Sequence, residues 1–243
     1  MYEPRTYRHW IKDNNLFSFN VIVKETDLFI RATIDLERVA LELVKKYRKI
    51  IEEYIEQQPD FRIALEPVCI ESNAPDIIKA MADAAAITGT GPMAGVAGAI
   101  SEFVGQGLMC FSPEVIVENG GDIFLKTLKK RVIGIYAGTS PFTGKVGLEI
   151  EGTCRPFGIC TSSGTVGHSL SFGKADAVIV LSESATLADT AATAIGNLVK
   201  APGDIDKGID MAKNITGIEG LVIITGSKVG AWGNVKLCHL AKQ

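Results

Sequence analysis

The sequence predicts an α+β domain, and three observations carry that expectation. Helix-like and strand-like segments are segregated along the chain instead of alternating, which disfavours a doubly wound parallel sheet. An alternating N-terminal pair, Leu16 to Lys24 and Leu28 to Thr33, reads as a β-hairpin around Glu25-Thr26-Asp27. After Pro113 the texture changes to a run of short apolar strands. The chain has 243 residues, 47% apolar and 22% charged. That balance is ordinary for globular proteins, and a chain of this size hides roughly 70–75% of its unfolded surface. A single domain spanning 1–243 is expected.

The elements follow in order. Leu36 to Gln57 carries Leu36, Val39, Ala40, Leu43, Val44, Tyr47, Ile50, Ile51, Tyr54 and Ile55 at helical spacing, with Asp35 as N-cap. Pro75 opens a second helix, Asp76 to Ile87. Thr88-Gly89-Thr90-Gly91-Pro92 breaks it, and Met93 to Val104 makes a third, rich in alanine and glycine. Strands are predicted at Glu114 to Glu118, Asp122 to Thr127, Val132 to Tyr136, Val146 to Glu151 and Ala177 to Leu181. Helices follow at Ala185 to Lys200, capped by Ser184, and at Asp204 to Ile215. Leu221 to Thr225 and Val235 to Leu240 close the chain as strands.

Composition excludes several classes of function. The formal net charge is -3, and the densest basic cluster, Lys129-Lys130-Arg131, reads as a solvated turn, so no nucleic-acid footprint is expected. No apolar run reaches the roughly 20 residues of a membrane-spanning helix, and the N-terminus lacks the apolar centre of a signal peptide. A cytoplasmic location and no membrane partner are therefore expected. Five scattered cysteines with no CxxC pair argue against both a disulfide framework and a zinc knuckle.

Four segments can carry chemistry. Gly89-Thr90-Gly91-Pro92-Met93-Ala94 spells GxGxxA, but an alanine-rich helix precedes it where a dinucleotide fingerprint needs a strand. It reads as a helix–helix turn, with the start of the third helix able to face an anion. Glu118-Asn119-Gly120-Gly121-Asp122 is a tight turn between strands, and Asp122 beside two glycines can orient a ligand at the bare backbone. Gly158 to Ser171 reads as a loop dense in glycine and hydroxyls, containing Cys160, Thr161, Ser162, Ser163, Gly164 and His168. Its backbone N–H groups suit a phosphate or pyrophosphate, whereas a plain polar loop is the bland reading. Asp189, Thr193 and Asn197 fall at i, i+4, i+8 on one helix face. That column is a hard-oxygen surface suited to Mg²⁺, and by pattern alone a solvent-facing polar stripe explains it as well.

Gly120-Gly121-Asp122, then Thr161-Ser162-Ser163-Gly164 with His168, then Ala188-Asp189 with Thr193, resemble the ApbE-like superfamily, whose members include FAD:protein FMN transferases. Gly91 to Gly98, Val117 to Asp122 and Gly158 to Asp176 are most similar to the small UPF branch of that superfamily. The resemblance implies antiparallel sheets flanked by helices, with the site between two β-lobes. It implies Mg²⁺ held by Asp189 and Thr193, FAD as ligand, and Glu118, Gly120, Gly121 and Asp122 with Thr161 to Gly164 as the nucleotide site. It also implies His168 as the base toward an acceptor protein. The branch resemblance further implies an alternative, a sulfur relay through a Cys160 thiolate or persulfide, for which Cys160 should be the most reactive of the five cysteines; against this stands a buried, inert thiol. A non-catalytic flavin or nucleotide binder is a third reading, and an oligomer is compatible with all three.

Overall fold

The computed structural model describes residue 8 and residues 15–166 and 171–240. Eight strands form one antiparallel sheet: β1 (Phe17–Val23), β2 (Thr26–Ala32), β3 (Val115–Asn119), β4 (Asp122–Lys126), β7 (Phe157–Ser162), β8 (Ala177–Ser182), β9 (Ile218–Thr225) and β10 (Lys228–Gly233), in that spatial order. A second, three-stranded sheet runs β11 (Leu237–His239), β6 (Val146–Ile150), β5 (Arg131–Gly134). The helices are α1 (Glu37–Gln57), the single turn α2 (Asp60–Ile63), α3 (Asp76–Thr88), α4 (Val96–Leu108), α5 (Ala185–Leu198) and α6 (Ile205–Asn214).

Strand periodicity makes this a three-layer molecule. Successive side chains of a strand point to opposite faces. On one face of the large sheet Leu28, Ile30, Val115 and Val117 pack with Val104 and Leu108 of α4 and with α1. Farther along the same face Phe124, Val178, Val180, Leu221 and Ile223 pack with Ala188, Ala192 and Ile195 of α5. On the other face Ile116, Ile123, Leu125, Ile159, Ile179 and Val222 pack with Ile135, Leu148 and Ile150 of the small-sheet layer. Strand β8 is buried along its whole length because both of its faces are covered.

Most predicted elements stand where the sequence put them, and the differences have local causes. Asp35 is not the N-cap of α1; Leu36 is, and Asp35 Oδ1 accepts from the Glu37 N–H at 3.0 Å. Pro75 is itself the N-cap of α3 rather than its first residue. Pro92–Gly95 forms a 3₁₀ turn, so α4 begins at Val96 and runs on to Leu108. Ser184 caps α5 as expected, accepting from the Leu187 N–H. The basic cluster is not wholly a solvated turn: Arg131 opens β5, and its guanidinium pairs with Glu114 at 2.9 Å, both side chains buried. Strands β7 and β10 were not predicted at all. Among the described residues no helix is long and apolar enough to cross a membrane.

Candidate functional site

The tip of the β3–β4 hairpin is the first component. Asn119 pairs with Asp122 across a two-residue loop, and Gly120 and Gly121 both take positive φ, 68° and 109°. That is the backbone a tight hairpin needs and that residues with a Cβ disfavour. Four side-chain hydrogen bonds hold the tip. Glu118 Oε1 accepts from the Gly121 N–H at 2.9 Å, and Glu118 Oε2 accepts from Arg8 Nε at 2.5 Å. Asn119 Nδ2 donates to the Ala97 carbonyl at 3.2 Å, tying the hairpin to α4. Asp122 Oδ1 accepts from the Thr161 N–H at 3.2 Å, tying it to β7.

The second component is the α4–α5 contact. Asp189 Oδ2 accepts from the Gly98 N–H at 2.8 Å. The first N–H groups of a helix have no intrahelical partner, and a carboxylate there also meets the favourable end of the helix dipole. The start of α4 thus faces an anion, as its sequence allowed, but the anion is the chain's own Asp189. Gly98 permits the approach: a Cβ there would lie 2.3 Å from the Ala185 carbonyl oxygen.

Asp122 and Asp189 are each only 8% exposed. Burial pushes Asp122 well above the usual carboxylate range, the Asp189 charge adds to the rise, and the Thr161 N–H opposes it. Burial likewise raises Asp189 to about 7, against the Gly98 and Ala97 N–H groups. Two buried carboxylates with raised proton affinity, one of them raised further by the other's charge, are short of positive charge.

Both line a cavity of about 1110 Å³, as does Thr193 one turn along α5. Glu118, Asn119, Gly120 and Gly121 border the same cavity, and so do Thr161, Ser162 and Ser163. The cavity passes around the hairpin tip, with α4 and α5 on one side and Ile133, Gly134 and Ile135 of the small-sheet layer on the other. Its size exceeds the roughly 300–1,000 Å³ of ordinary small-molecule pockets.

Other expected site residues stand elsewhere. Cys160 is on β7, not in a loop; it is completely buried and its Sγ contacts the Ala185 carbonyl at 3.2 Å. Burial, and then the charges of Asp122 and Asp189, push its thiol well up, the reverse of what a nucleophilic thiolate requires. Gly164 does not line the cavity; it lies against the Gly173 backbone, and its N–H donates to the Ala175 carbonyl at 2.9 Å. Part of the expected backbone cradle is committed to the fold. The Thr161 N–H serves Asp122, and the Thr165 and Val166 N–H groups serve the Ser163 hydroxyl. The Thr161 and Gly164 N–H groups are therefore committed within the fold, while Thr161, Ser162 and Ser163 border the cavity. His168 lies outside the described residues.

Sequence reasoning missed the Arg8, Phe29 and Arg31 group at the cavity wall. The signal was present in β2, where Phe29 and Arg31 alternate with Leu28 and Ile30 and so must share the face turned away from the helices. It also missed Gly98 as the holder of Asp189. Among the described residues no cluster of three or more His, Cys, Asp or Glu side chains is placed to hold a metal. The donor set here is two carboxylates and a hydroxyl, all hard oxygen, which fits Mg²⁺ with water or ligand oxygens completing the shell.

The comparisons with known proteins agree with this architecture. A family model described as AbpE bacteria matches residues 8–216. A UPF0280 protein of Methanococcus aeolicus is 40% identical over 221 residues, 88% of this chain and 89% of that protein. One from Methanopyrus kandleri is 41% identical over 225 residues, 90% of this chain and 91% of its own. Among solved structures, the ApbE protein of Thermotoga maritima superposes with a TM-score of 0.60 at 16% identity, covering 88% of this chain and 96% of the other. The flavinyl transferase ApbE of Pseudomonas stutzeri, in its apo form, gives 0.58 at 13% identity, covering 90% and 94%. At these identities the structural likeness speaks for the fold, while the family match and the archaeal relatives speak for kinship. The chain belongs to the AbpE bacteria family, with UPF0280 proteins as relatives and an ApbE-like α+β fold.

Proposed function

We propose that this protein binds FAD or a similar nucleotide pyrophosphate beside a Mg²⁺ ion held by Asp189 and Thr193, and that it acts as a flavin transferase-like enzyme. The observation that carries the reading is the meeting of Asp122, Asp189 and Thr193 on one large cavity, with both carboxylates buried. Buried carboxylates without a cation are costly, and a divalent ion with a bound anion satisfies them. The likeness to the flavin transferases ApbE of Pseudomonas stutzeri and Vibrio cholerae supports the choice of ligand.

When bound, Mg²⁺ supplies charge neutralisation at the pyrophosphate. The chain's own residues do the rest. The Gly98 N–H fixes Asp189; the Thr161 N–H fixes Asp122; Gly120 and Gly121 let a ligand come against bare backbone. In the transfer, an acceptor hydroxyl forms a new P–O bond to the FMN phosphate, the pyrophosphate P–O bond breaks, and AMP leaves with the electron pair. His168 is the proposed base that takes the hydroxyl proton, and the acceptor is proposed to be a protein.

The test is a thermal melt with FAD, with and without Mg²⁺, beside chromatography of the products. A rise in Tm with FAD that needs Mg²⁺, together with FMN-protein adduct and AMP, is expected. Thr193→Val keeps the side-chain shape and should weaken Mg²⁺-dependent FAD binding at least tenfold. A ligand shift without products leaves a non-catalytic flavin binder; no FAD shift at any Mg²⁺ concentration rejects the proposal. A sulfur relay has no support from the thiol, because Cys160 is sealed beneath α5.

A further inference from the structure

The large sheet ends on β1, which has β2 as its one partner strand among the described residues. Its sequence, Phe-Ser-Phe-Asn-Val-Ile-Val, holds no charge, no proline and no glycine. Edge strands are ordinarily guarded by such residues, by bulges or by a covering segment, because their unpaired N–H and C=O groups accept another strand. The register with β2 runs unbroken from Phe17 opposite Ala32 to Val23 opposite Thr26, so no bulge turns β1 away. The opposite edge differs: β10 opens on Lys228 and is interrupted by Gly230. Nor does Arg8, ahead of β1, shield the free edge. It lies across β2 and β3, bonded to Asp27 and Glu118.

The hairpin turn fixes which backbone groups are free. Lys24 and Glu25 form a two-residue loop that closes on Val23 and Thr26. Hydrogen-bonded and non-hydrogen-bonded pairs alternate along an antiparallel ladder, so Val23, Val21, Phe19 and Phe17 direct their N–H and C=O groups to β2. Ser18, Asn20 and Ile22 turn theirs outward. All three side chains are exposed, Ile22 to 65%.

A second β1, antiparallel about a two-fold axis at Asn20, matches these groups. Asn20 meets the partner's Asn20, and Ser18 meets the partner's Ile22, so each outward N–H and C=O finds its complement. On the helix-facing side Phe19 falls opposite the partner's Val21 and Phe17 opposite the partner's Val23. That extends the apolar row of Phe19, Val21 and Val23, which packs in the core with α1. Phe17, 58% exposed in the single chain, is thereby covered. No like charges meet, because β1 carries none. A two-fold contact of this kind is self-complementary and closes on itself. It also hides a seven-residue, uncharged, β-prone segment that would otherwise template open-ended pairing.

We infer that β1 is a homodimer interface, in which two copies of this chain pair their β1 strands antiparallel about Asn20 and join their large sheets into one. The inference goes beyond the flavin reading and does not depend on it, since no residue of β1 borders the cavity.

The experiment is sedimentation velocity on the full chain over a concentration series, with Asn20→Lys and Asn20→Asp run singly and as an equimolar mixture. Circular dichroism of each variant is the fold control. Wild type is expected to be a dimer. Each variant alone sets two like charges opposite one another at the axis and should raise the dissociation constant about tenfold or more. The mixture sets lysine against aspartate and should recover the dimer, a result that reads the register itself. Asn20→Pro removes an outward N–H without touching a bond to β2 and should also favour the monomer. It decides the matter if a charged variant fails to fold. A wild type that is monomeric throughout the series overturns the inference, whatever else covers the edge. Charged variants as dimeric as wild type place the contact elsewhere and overturn it too, and so does a mixture that stays monomeric.

Discussion

Asp189→Asn separates the electrostatic role of this residue from its structural one. Asparagine keeps an oxygen for the Gly98 N–H but cannot ionise. Asp189 moves from a usual carboxylate value of 3.8 to about 7 in the folded protein. At 1.36 kcal/mol per pH unit, a rise of about three units is a stability difference on the order of 4 kcal/mol. The sign follows from linkage. The folded state holds the proton more tightly, so this contribution is fully present below about pH 3.8 and is lost as the pH rises through about 7. Without a cation, wild type should therefore become less stable between pH 5 and pH 8, and Asp189→Asn should lose less over that window. For a chain of this size 1 kcal/mol is worth about 2–4 °C in Tm, so the two profiles should diverge by on the order of 10 °C at pH 8. Mg²⁺ should reverse the trend in wild type only, adding about 2.7 kcal/mol at a hundred times its Kd. The assay is a set of melts in EDTA or Mg²⁺ from pH 5 to 8.5. Parallel EDTA profiles for the two proteins would refute the claim that Asp189 is a buried carboxylate short of positive charge.

Two further outcomes follow from packing. Cys160 should be the slowest of the five cysteines to alkylate in the folded protein, because it alone is fully buried while Cys69, Cys110 and Cys154 are exposed. Mass mapping after brief alkylation reads this, and rapid labelling of Cys160 would contradict the placement of β7 beneath α5. Gly98→Ala should destabilise the fold by about 1–3 kcal/mol, since its Cβ would meet the Ala185 carbonyl oxygen at 2.3 Å and Asp189 Cβ at 2.8 Å. It should also weaken Mg²⁺ binding. A denaturant melt and a Mg²⁺ titration check both halves, and an unchanged midpoint would mean that α4 and α5 can separate without cost.

What the sequence made legible was whatever depends on local period. The N-terminal hairpin, α1, α3, α5 and the strands around Asp122 carry clear alternation or helical spacing, and they stand within a few residues of expectation. Strand β7 did not, because its glycine and hydroxyls resemble a loop. Gly158 is needed there for a tertiary reason: a Cβ would sit 2.3 Å from Ala185 Cα of α5. Strand β10 was obscured in the same way, since Gly230 leaves room for Ile205, whose Cγ2 would be 2.2 Å from a Cβ. The polar residues of the site were legible as residue types. Their partners were not, because the bond from Gly98 to Asp189 spans 91 positions and that from Thr161 to Asp122 spans 39. Composition announced free N–H groups near Thr161 to Gly164; only the packed structure shows where they go.

The two helices beside the cavity exchange carboxylates, and this fixes the site more firmly than either contact alone. Asp189 of α5 takes the Gly98 N–H in the first turn of α4. Glu102 of α4 takes the Thr186 N–H and hydroxyl in the first turn of α5, and the Ser184 hydroxyl, each at 2.9 Å. Sliding α5 along α4 would strand buried donors at both ends, at about 1–3 kcal/mol each. The close approach that allows the exchange depends on residues with no or little side chain at the contact, Gly98 of α4 against Ala185 of α5, with Gly95 just before α4 against Thr186 and Thr190. Asp189 and Thr193 are therefore carried by a helix whose register cannot drift, and Asp122 by a hairpin tip tied to both α4 and β7. A cation entering the cavity meets oxygens that are already in place. Its affinity should then follow the charge state of Asp189, falling as the pH drops through about 7, and should depend little on the ordering of the surrounding chain.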